Sequence, residues 1–216
     1  MLVRDQMSAT PITARLETAV PDALRLMRER RIRRLPIMDR RGRLVGIVTD
    51  RDLLYASPSP ATSLSIWELN YLLAKLTVEK VMTRDVITVA DDAPIEEAAR
   101  LMADHKIGGL PVVKGGSLVG VITQTDVFHA VLELLGARRA GVRITAKMPG
   151  AKGTVARIAE AVFKAGGNIV GLGVSERKGR KDASWEVMLK VQDVRRDKLV
   201  AAVEPAVTEV LDVREA

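Results

Sequence analysis

Cysteine is absent from the chain of 216 residues, and histidine occurs only at His105 and His129. The lack of cysteine excludes disulfide bonds, thiolate metal sites and a cysteine nucleophile. The two histidines show no metal-ligand spacing, which disfavours a metal centre. The sequence also lacks a Gly-x-x-x-x-Gly-Lys-Ser/Thr phosphate loop, a serine nucleophile elbow and a catalytic carboxylate pair. We therefore expect a protein that is not an enzyme and requires no cofactor.

Aromatic residues make up only 3% of the chain, and no apolar run approaches the ~18 residues of a membrane span. So few aromatic rings offer little surface on which single-stranded bases can stack. The net charge of +7 therefore favours solvated basic faces first, anionic small ligands second and a DNA partner last. Residues 1–10 lack the apolar centre of a signal peptide, so we expect a cytoplasmic protein without a membrane partner.

The sequence contains an internal repeat. Residues 7–54 align with residues 82–128 at an offset of 75, which falls to 74 after one deletion in a loop. Fifteen of the 47 aligned pairs are identical. They include Met7/Met82, Gly46/Gly120, Thr49/Thr123 and Asp52/Asp126. Two copies are too few for a solenoid. The repeat therefore predicts one pseudo-symmetric module whose halves share a buried face and form two related ligand clefts.

Each repeat has the same predicted order of elements, and the mixture of buried strands with helices indicates an α/β fold. A short strand, a helix with apolar residues at i, i+3, i+4 and i+7, two strands joined by a turn and a second helix follow one another. The first strand is predicted at 11–13 and 86–88. After residue 141 the pattern changes to βαββαβ, which is a ferredoxin-like second domain. The predicted boundaries are 1–57 and 79–136 for the two repeats, 58–78 for an amphipathic linker helix, and 141–216 for the second domain.

A Gly-x-x-Thr-x-x-Asp segment ends the last strand of each repeat, at residues 46–52 and 120–126. Thr-x-x-Asp before an apolar run predicts a helix capping box, in which the Thr hydroxyl and the acid accept from early backbone N–H groups. The same segment suits a nucleotide, because a helix N-terminus favours phosphate and a carboxylate can accept from ribose hydroxyls. The two interpretations are compatible.

A second repeated segment, at residues 32–36 and 107–111, ends in Leu-Pro in both copies. One interpretation is a helix end followed by an edge strand. The other is a stretch of backbone that lies close to a flat ligand. Gly108 and Gly109 would permit that approach, and Arg33 and Arg34 could supply charge that pairs with phosphate.

On these motifs both repeats resemble CBS motifs, and together they resemble a tandem CBS (Bateman) module. The resemblance implies an adenine nucleotide or S-adenosyl compound as regulatory ligand between the motifs. Ribose and phosphate would lie on the Thr-x-x-Asp segment of one motif, and the first strand and Leu-Pro segment of the other would enclose the base. Carried onto this chain, one site would use Thr49, Arg51, Asp52, Thr88, Ile107, Gly108 and Pro111. The other would use Thr123, Thr125, Asp126, Thr13, Ile32, Arg33, Arg34 and Pro36.

Residues 141–216 resemble an ACT domain, through the Pro-Gly segment at 149–158 and the Gly-Asn-Ile at 167–169. The order CBS–CBS–ACT resembles the acetoin-utilisation AcuB group. The resemblance implies a non-catalytic sensor of an adenosine-based ligand, with an ACT domain that dimerises or binds a second small molecule. Because Lys147 and Met148 precede the turn where amino-acid-binding ACT domains often have Asp or Asn, we expect assembly into a homodimer as its main role. The alternative is a structural interaction protein that recruits or regulates a partner enzyme without binding nucleotide.

Overall fold

The computed structural model describes residues 1–56, 75–176 and 184–215. The chain divides into two compact units, Met1–Val127 and Phe128–Ala216. The predicted linker helix at 58–78 falls for the most part outside the described residues. No helix in the described part of the chain is both long and apolar enough to cross a membrane.

The first unit contains both repeats. The first repeat comprises α1 (Val3–Gln6), β1 (Ser8–Ala9), β2 (Ala14–Arg15), α2 (Val20–Arg30), β3 (Arg34–Met38), β4 (Leu44–Thr49) and α3 (Asp50–Tyr55). The second comprises a 3-10 turn (Val78–Lys80), β5 (Val89–Ala90), α4 (Ile95–Asp104), β6 (Gly109–Lys114), β7 (Ser117–Thr123) and α5 (Gln124–Leu134), which continues into the second unit. The predicted α/β order is confirmed. The predicted strands at 11–13 and 86–88 are wrong, because parallel pairing with β3 and β6 begins only at Ala14 and Val89.

The two repeats exchange their leading segments. β1 pairs with β7 of the second repeat, so that the strands are ordered β1-β7-β6-β5 in one sheet and β2-β3-β4 in the other. At the equivalent place in the first repeat, the Ile47 N–H donates to the Thr83 carbonyl at 3.0 Å, and the Thr83 N–H donates back at 2.9 Å. The last strand of each repeat therefore pairs along its outer edge with residues of the other repeat. The two repeats form one module.

The helices of the two repeats bury the apolar positions that their spacing predicts. Val20, Ala23 and Met27 of α2 lie in the core, as do the equivalent Ile95, Ala98 and Met102 of α4. Both helices are followed by a residue in the left-handed region, at Arg31 (φ 53°) and Lys106 (φ 54°). This conformation ends a helix and turns the chain toward the next strand. The segments 31–34 and 106–109 thus follow helix ends of the same backbone conformation.

The turn between β3 and β4 is held by Asp39. Its Oδ1 accepts from the backbone N–H groups of Arg41 and Arg43, each at 2.9 Å. These bonds, that of Arg43 foremost, lower the pKa of the Asp39 carboxyl, and the Arg43 guanidinium adds to the effect. Gly42 follows with a φ of 75°, which glycine adopts without strain. The turn fixes the register of β3 against β4.

The second unit contains β8 (Val142–Pro149), α6 (Thr154–Lys164), β9 (Asn168–Glu176), β10 (Ser184–Gln192), α7 (Arg196–Val203) and β11 (Glu209–Glu215). The predicted βαββαβ order is confirmed, and the antiparallel sheet has the strand order β11-β8-β10-β9. Its core is formed by one face of the sheet and by both helices, with Ile158 and Leu199 fully buried. The backbone of Leu135, just after α5, packs against Gly171 in β9. A Cβ atom at residue 171 would overlap the Leu135 carbonyl group.

Candidate functional site

Two cavities lie in the first unit, and the repeat builds both. The first has a volume of about 810 Å³. Six of the residues predicted for one site line it: Thr49, Arg51, Asp52, Ile107, Gly108 and Pro111. The second cavity has a volume of about 640 Å³. Six of the residues predicted for the other site line it: Ile32, Arg33, Arg34, Thr123, Thr125 and Asp126. Each cavity therefore combines the Thr-x-x-Asp segment of one repeat with the end of the first long helix of the other.

Three predicted site residues do not line the cavities: Thr13, Thr88 and Pro36. Thr13 and Thr88 directly precede β2 and β5, and the residues before them, Ile12 and Ile87, line the cavities instead. Successive side chains of an extended segment point to opposite sides, so only one of two neighbours faces a given cleft. Pro36 is buried within β3.

Sequence reasoning missed the segment just before those isoleucines. Asp85 and Val86 line the first cavity, and their repeat equivalents Thr10 and Pro11 line the second. The repeat alignment pairs these positions, but their residue types differ, and they lie outside the two repeated motifs from which the sites are predicted. Comparing charge rather than identity at aligned positions would have selected Asp85.

The two Thr-x-x-Asp segments form capping boxes with nearly equal geometry. Asp52 Oδ2 accepts from the Thr49 backbone N–H at 2.8 Å and from the Thr49 hydroxyl at 2.7 Å. Asp126 Oδ2 accepts from the Thr123 N–H and hydroxyl, both at 2.7 Å. The predicted caps are thus confirmed. Within the described ranges neither Oδ1 atom receives a hydrogen bond from another side chain or N–H group, so each carboxylate keeps an oxygen that can accept from a ligand.

The cavities differ in charge. The second cavity is lined by three arginines, Arg31, Arg33 and Arg34, and by one carboxylate, Asp126. The first is lined by four basic residues and by three carboxylates, among them Asp50 and Asp85. The second cavity is therefore the more strongly basic, because it has fewer carboxylates and not because it has more cations.

The placement of those arginines nevertheless corrects the sequence-based assignment. Arg33 and Arg34 were expected in the second site only, but they line both cavities, as does Gly108. The reason is that a side chain at the start of β3 reaches the start of β6. Burial lowers the pKa of the Arg34 guanidinium, while the charge of Asp50 raises it. Arg34 is thus a partly desolvated cation between two cavities.

The two cavities combine polar and apolar side chains. Across residues 1–56, 75–176 and 184–215, no group of three or more His, Asp or Glu side chains is placed to hold a metal. The polar groups that line the first cavity are carboxylates, threonine hydroxyls, guanidinium groups and the Lys106 ammonium group, and apolar side chains such as Ile87 and Ile107 line it as well. Apolar walls with a few convergent polar groups are typical of sites for small organic ligands.

Comparison with known proteins identifies the module. A family model for the CBS domain matches residues 3–59 and 78–133. A CBS domain-containing protein of Dictyostelium discoideum is 36% identical over 136 residues, which are 62% of this chain and 94% of that protein. An L-aspartate semialdehyde sulfurtransferase of Methanocaldococcus jannaschii is 35% identical over 129 residues, which are 58% of this chain but only 22% of that enzyme.

Three solved structures resemble the same part of the chain. The CBS domain pair of protein MJ0100, in complex with 5′-methylthioadenosine and S-adenosyl-L-methionine, has a TM-score of 0.51 and 33% identity and covers 64% of this chain and 98% of its own. CBSX2 in complex with AMP has a TM-score of 0.52 and 35% identity and covers 62% and 97%. AcuB of Vibrio cholerae, a candidate acetoin utilization protein, has a TM-score of 0.52 and 37% identity and covers 64% and 95%. Since the family model matches both repeats, over more than half of the chain, the protein belongs to the CBS domain family.

Proposed function

We propose that this chain is a non-catalytic regulatory sensor whose CBS pair binds an adenosine-based ligand, such as AMP, ADP, ATP or an S-adenosyl compound. The observation that carries the proposal is the pair of cavities in which a Thr-x-x-Asp segment of one repeat faces the apolar segments of the other. Two similar CBS pairs hold AMP, or 5′-methylthioadenosine with S-adenosylmethionine.

The chemistry of each wall suggests how such a ligand is held. Asp52 and Asp126 use Oδ2 for their caps, which leaves Oδ1 to accept from ribose hydroxyls. Ile87 and Ile107 in the first cavity, with Ile12 and Ile32 in the second, offer apolar contact to the two faces of a base. The arginines supply charge for phosphate or carboxylate. A ligand that prefers one arrangement of the two repeats then shifts the protein toward that arrangement.

Ligand-dependent thermal unfolding of the full chain tests this function. A micromolar ligand corresponds to about −8 kcal/mol, and at a hundredfold excess over its Kd it stabilises the fold by about 2.7 kcal/mol. That raises Tm by several degrees, at roughly 2–4 °C per kcal/mol for a chain of this length. GTP serves as the base-specificity control. Absence of both a Tm shift and calorimetric heat with every adenosine compound at millimolar concentration would refute the sensor and favour the structural interaction protein, which recruits a partner enzyme.

We propose further that the second unit is an ACT-like domain that contributes to a homodimer. Its βαββαβ order and its edge strand β9, which exposes Leu172 and Val174, support side-by-side pairing with a second copy. Helix α5 adds exposed apolar side chains at Phe128, Val131 and Leu134. A twofold dimer is the commonest closed assembly. Light scattering that returns one chain mass at all concentrations would exclude the dimer. The cytoplasmic location stays a prediction.

A further inference from the structure

The two cavities share one wall, and Arg34 occupies it. In the repeat alignment Arg33 and Arg34 are equivalent to Gly108 and Gly109. The Arg34 guanidinium lies over this glycine pair: a Cβ atom at residue 108 would overlap its Nη2 atom, and one at residue 109 would lie 3.3 Å from its Nε atom. Arginine on one repeat thus fills the space that glycine leaves on the other.

This asymmetry has an electrostatic reason. If both repeats carried arginine here, two guanidinium groups would occupy the same space and repel each other. The chain instead carries arginines here on one repeat only. Arg33 is exposed, whereas the half-buried Arg34 lies over the glycine pair. Asp50 lies close enough for its charge to act on Arg34, yet among the described residues Arg34 forms no salt bridge. A half-buried guanidinium without a direct anionic partner favours an anion brought by a ligand.

One guanidinium can pair in the bidentate manner with only one phosphate at a time. Arg34 lines both cavities, so a phosphate group in either cavity lies within reach of the same cation. Once a phosphate in one cavity has paired with Arg34, this cation is no longer available to a phosphate in the other cavity. The second phosphate is also repelled by the negative charge of the first. A ligand without an anionic group, such as adenosine, meets neither effect.

We propose that Arg34 couples the two cavities negatively, so that a phosphate-bearing ligand in one weakens the binding of a second phosphate-bearing ligand in the other. This proposal rests on the proposed nucleotide function and deepens it. By linkage the weakening is the same in either order of binding. The protein then favours mixed occupancy, with one phosphate-bearing and one phosphate-free adenosine ligand.

Calorimetric titration of the full chain with ATP tests the coupling. Asp126→Asn weakens the second cavity and so reports the intrinsic Kd of the first; Asp52→Asn reports that of the second. If the two cavities bind ATP independently, the two stepwise Kd values of the parent equal those calculated from the two intrinsic Kd values with the usual statistical factors. We expect the second step in the parent to be at least about tenfold weaker than the weaker intrinsic Kd, which is the size of one charged hydrogen bond.

Arg34→Gln removes the charge and keeps the length of the side chain, and in that background the stepwise and intrinsic values should agree. Arg51→Gln is the matched control, since Arg51 lines only the first cavity: it should weaken ATP there and leave the coupling in place. Adenosine should show no coupling in any variant. Unfolding curves check that each variant is folded.

The outcomes separate the two proposals. Independent ATP binding in the parent, coupling that persists in Arg34→Gln, or ATP binding to only one of the two single-cavity variants would overturn the role of Arg34 and leave the sensor function standing. A parent that binds no adenosine compound at all would overturn both.

Discussion

The thioether of Met82 lies directly over Gly46, at a distance that leaves no room for a Cβ atom. The repeat has the same contact in the other direction, because Met7 lies over Gly120 in the same way. Each methionine belongs to one repeat and each glycine to the last strand of the other, so the contacts join the two repeats. This explains in physical terms why both residue types recur at these aligned positions.

Gly46→Ala should therefore overpack the junction between the repeats. We expect it to lower the free energy of unfolding by about 1–3 kcal/mol, as extra methyl groups do in well-packed interiors. Urea denaturation of the single variants and of Gly46→Ala/Met82→Ala gives a double-mutant cycle. Alanine at 46 should cost less once Met82 is truncated. An equal cost in both backgrounds would show that another contact requires glycine.

A second pair of glycines gives a matched comparison in the second unit. A Cβ atom at Gly171 would overlap the carbonyl group of Leu135, which is backbone, whereas one at Gly173 would lie 3.3 Å from the Leu135 Cδ2 atom, which can move. Gly171→Ala should cost about 3 kcal/mol of unfolding free energy and Gly173→Ala about 1 kcal/mol or less. Gly171→Ala should also speed hydrogen exchange at Gly136 and Ala137, whose N–H groups donate to carbonyls in the last turn of α5. Equal costs for the two variants would contradict this packing.

How much of this architecture the sequence predicts depends on whether a feature is local or repeated. The capping boxes follow from a spacing of three residues, and the geometry at Asp52 and Asp126 confirms them. The pseudo-symmetric module follows from the repeat, since recurring residues such as Met82 and Gly46 need matching surroundings. The βαββαβ order follows from strand and helix periodicity with glycine stops.

The features that the sequence does not predict are set by contacts between segments that are far apart in the chain. The strands expected at 11–13 and 86–88 begin later, because the position at which parallel pairing starts is set by β3 and β6 rather than by local preference. The assignment of Arg34 to the second site alone is incomplete, because the sequence does not show that the starts of β3 and β6 adjoin. A side chain at such a junction faces both clefts.

The two capping aspartates should also be the ribose acceptors, one in each cavity. Asn keeps the size of Asp and an oxygen that can accept from the Thr N–H, but it loses the charge. We expect Asp52→Asn and Asp126→Asn each to weaken nucleotide at its own cavity by roughly tenfold or more, as the loss of a charged hydrogen bond does. Stability should change by no more than about 1 kcal/mol, the usual size of a cap.

Calorimetry with AMP measures this effect, and thermal unfolding without ligand measures the cost of the cap. The matched control is Glu29→Gln, which removes the same negative charge at an exposed position outside both cavities. If the double variant binds AMP like the parent, the aspartates cap their helices and have no further role.

Arg33 and Arg34 should make the protein favour ligands that carry more phosphate. Both line both cavities, so replacing them with alanine removes two cations from each site. A charged hydrogen bond contributes roughly 1.5–3 kcal/mol, so ATP should lose tenfold or more in affinity. Adenosine has no phosphate for the guanidinium groups to pair with, and its Kd should change by less than about threefold. Both ligands are titrated into the parent and the double variant at two salt concentrations. This separates direct pairing of the arginines with phosphate from long-range attraction by exposed charges, because salt screens exposed charges more strongly than partly buried ones. Equal losses for ATP and adenosine would mean that the two arginines only cover the surface between the cavities.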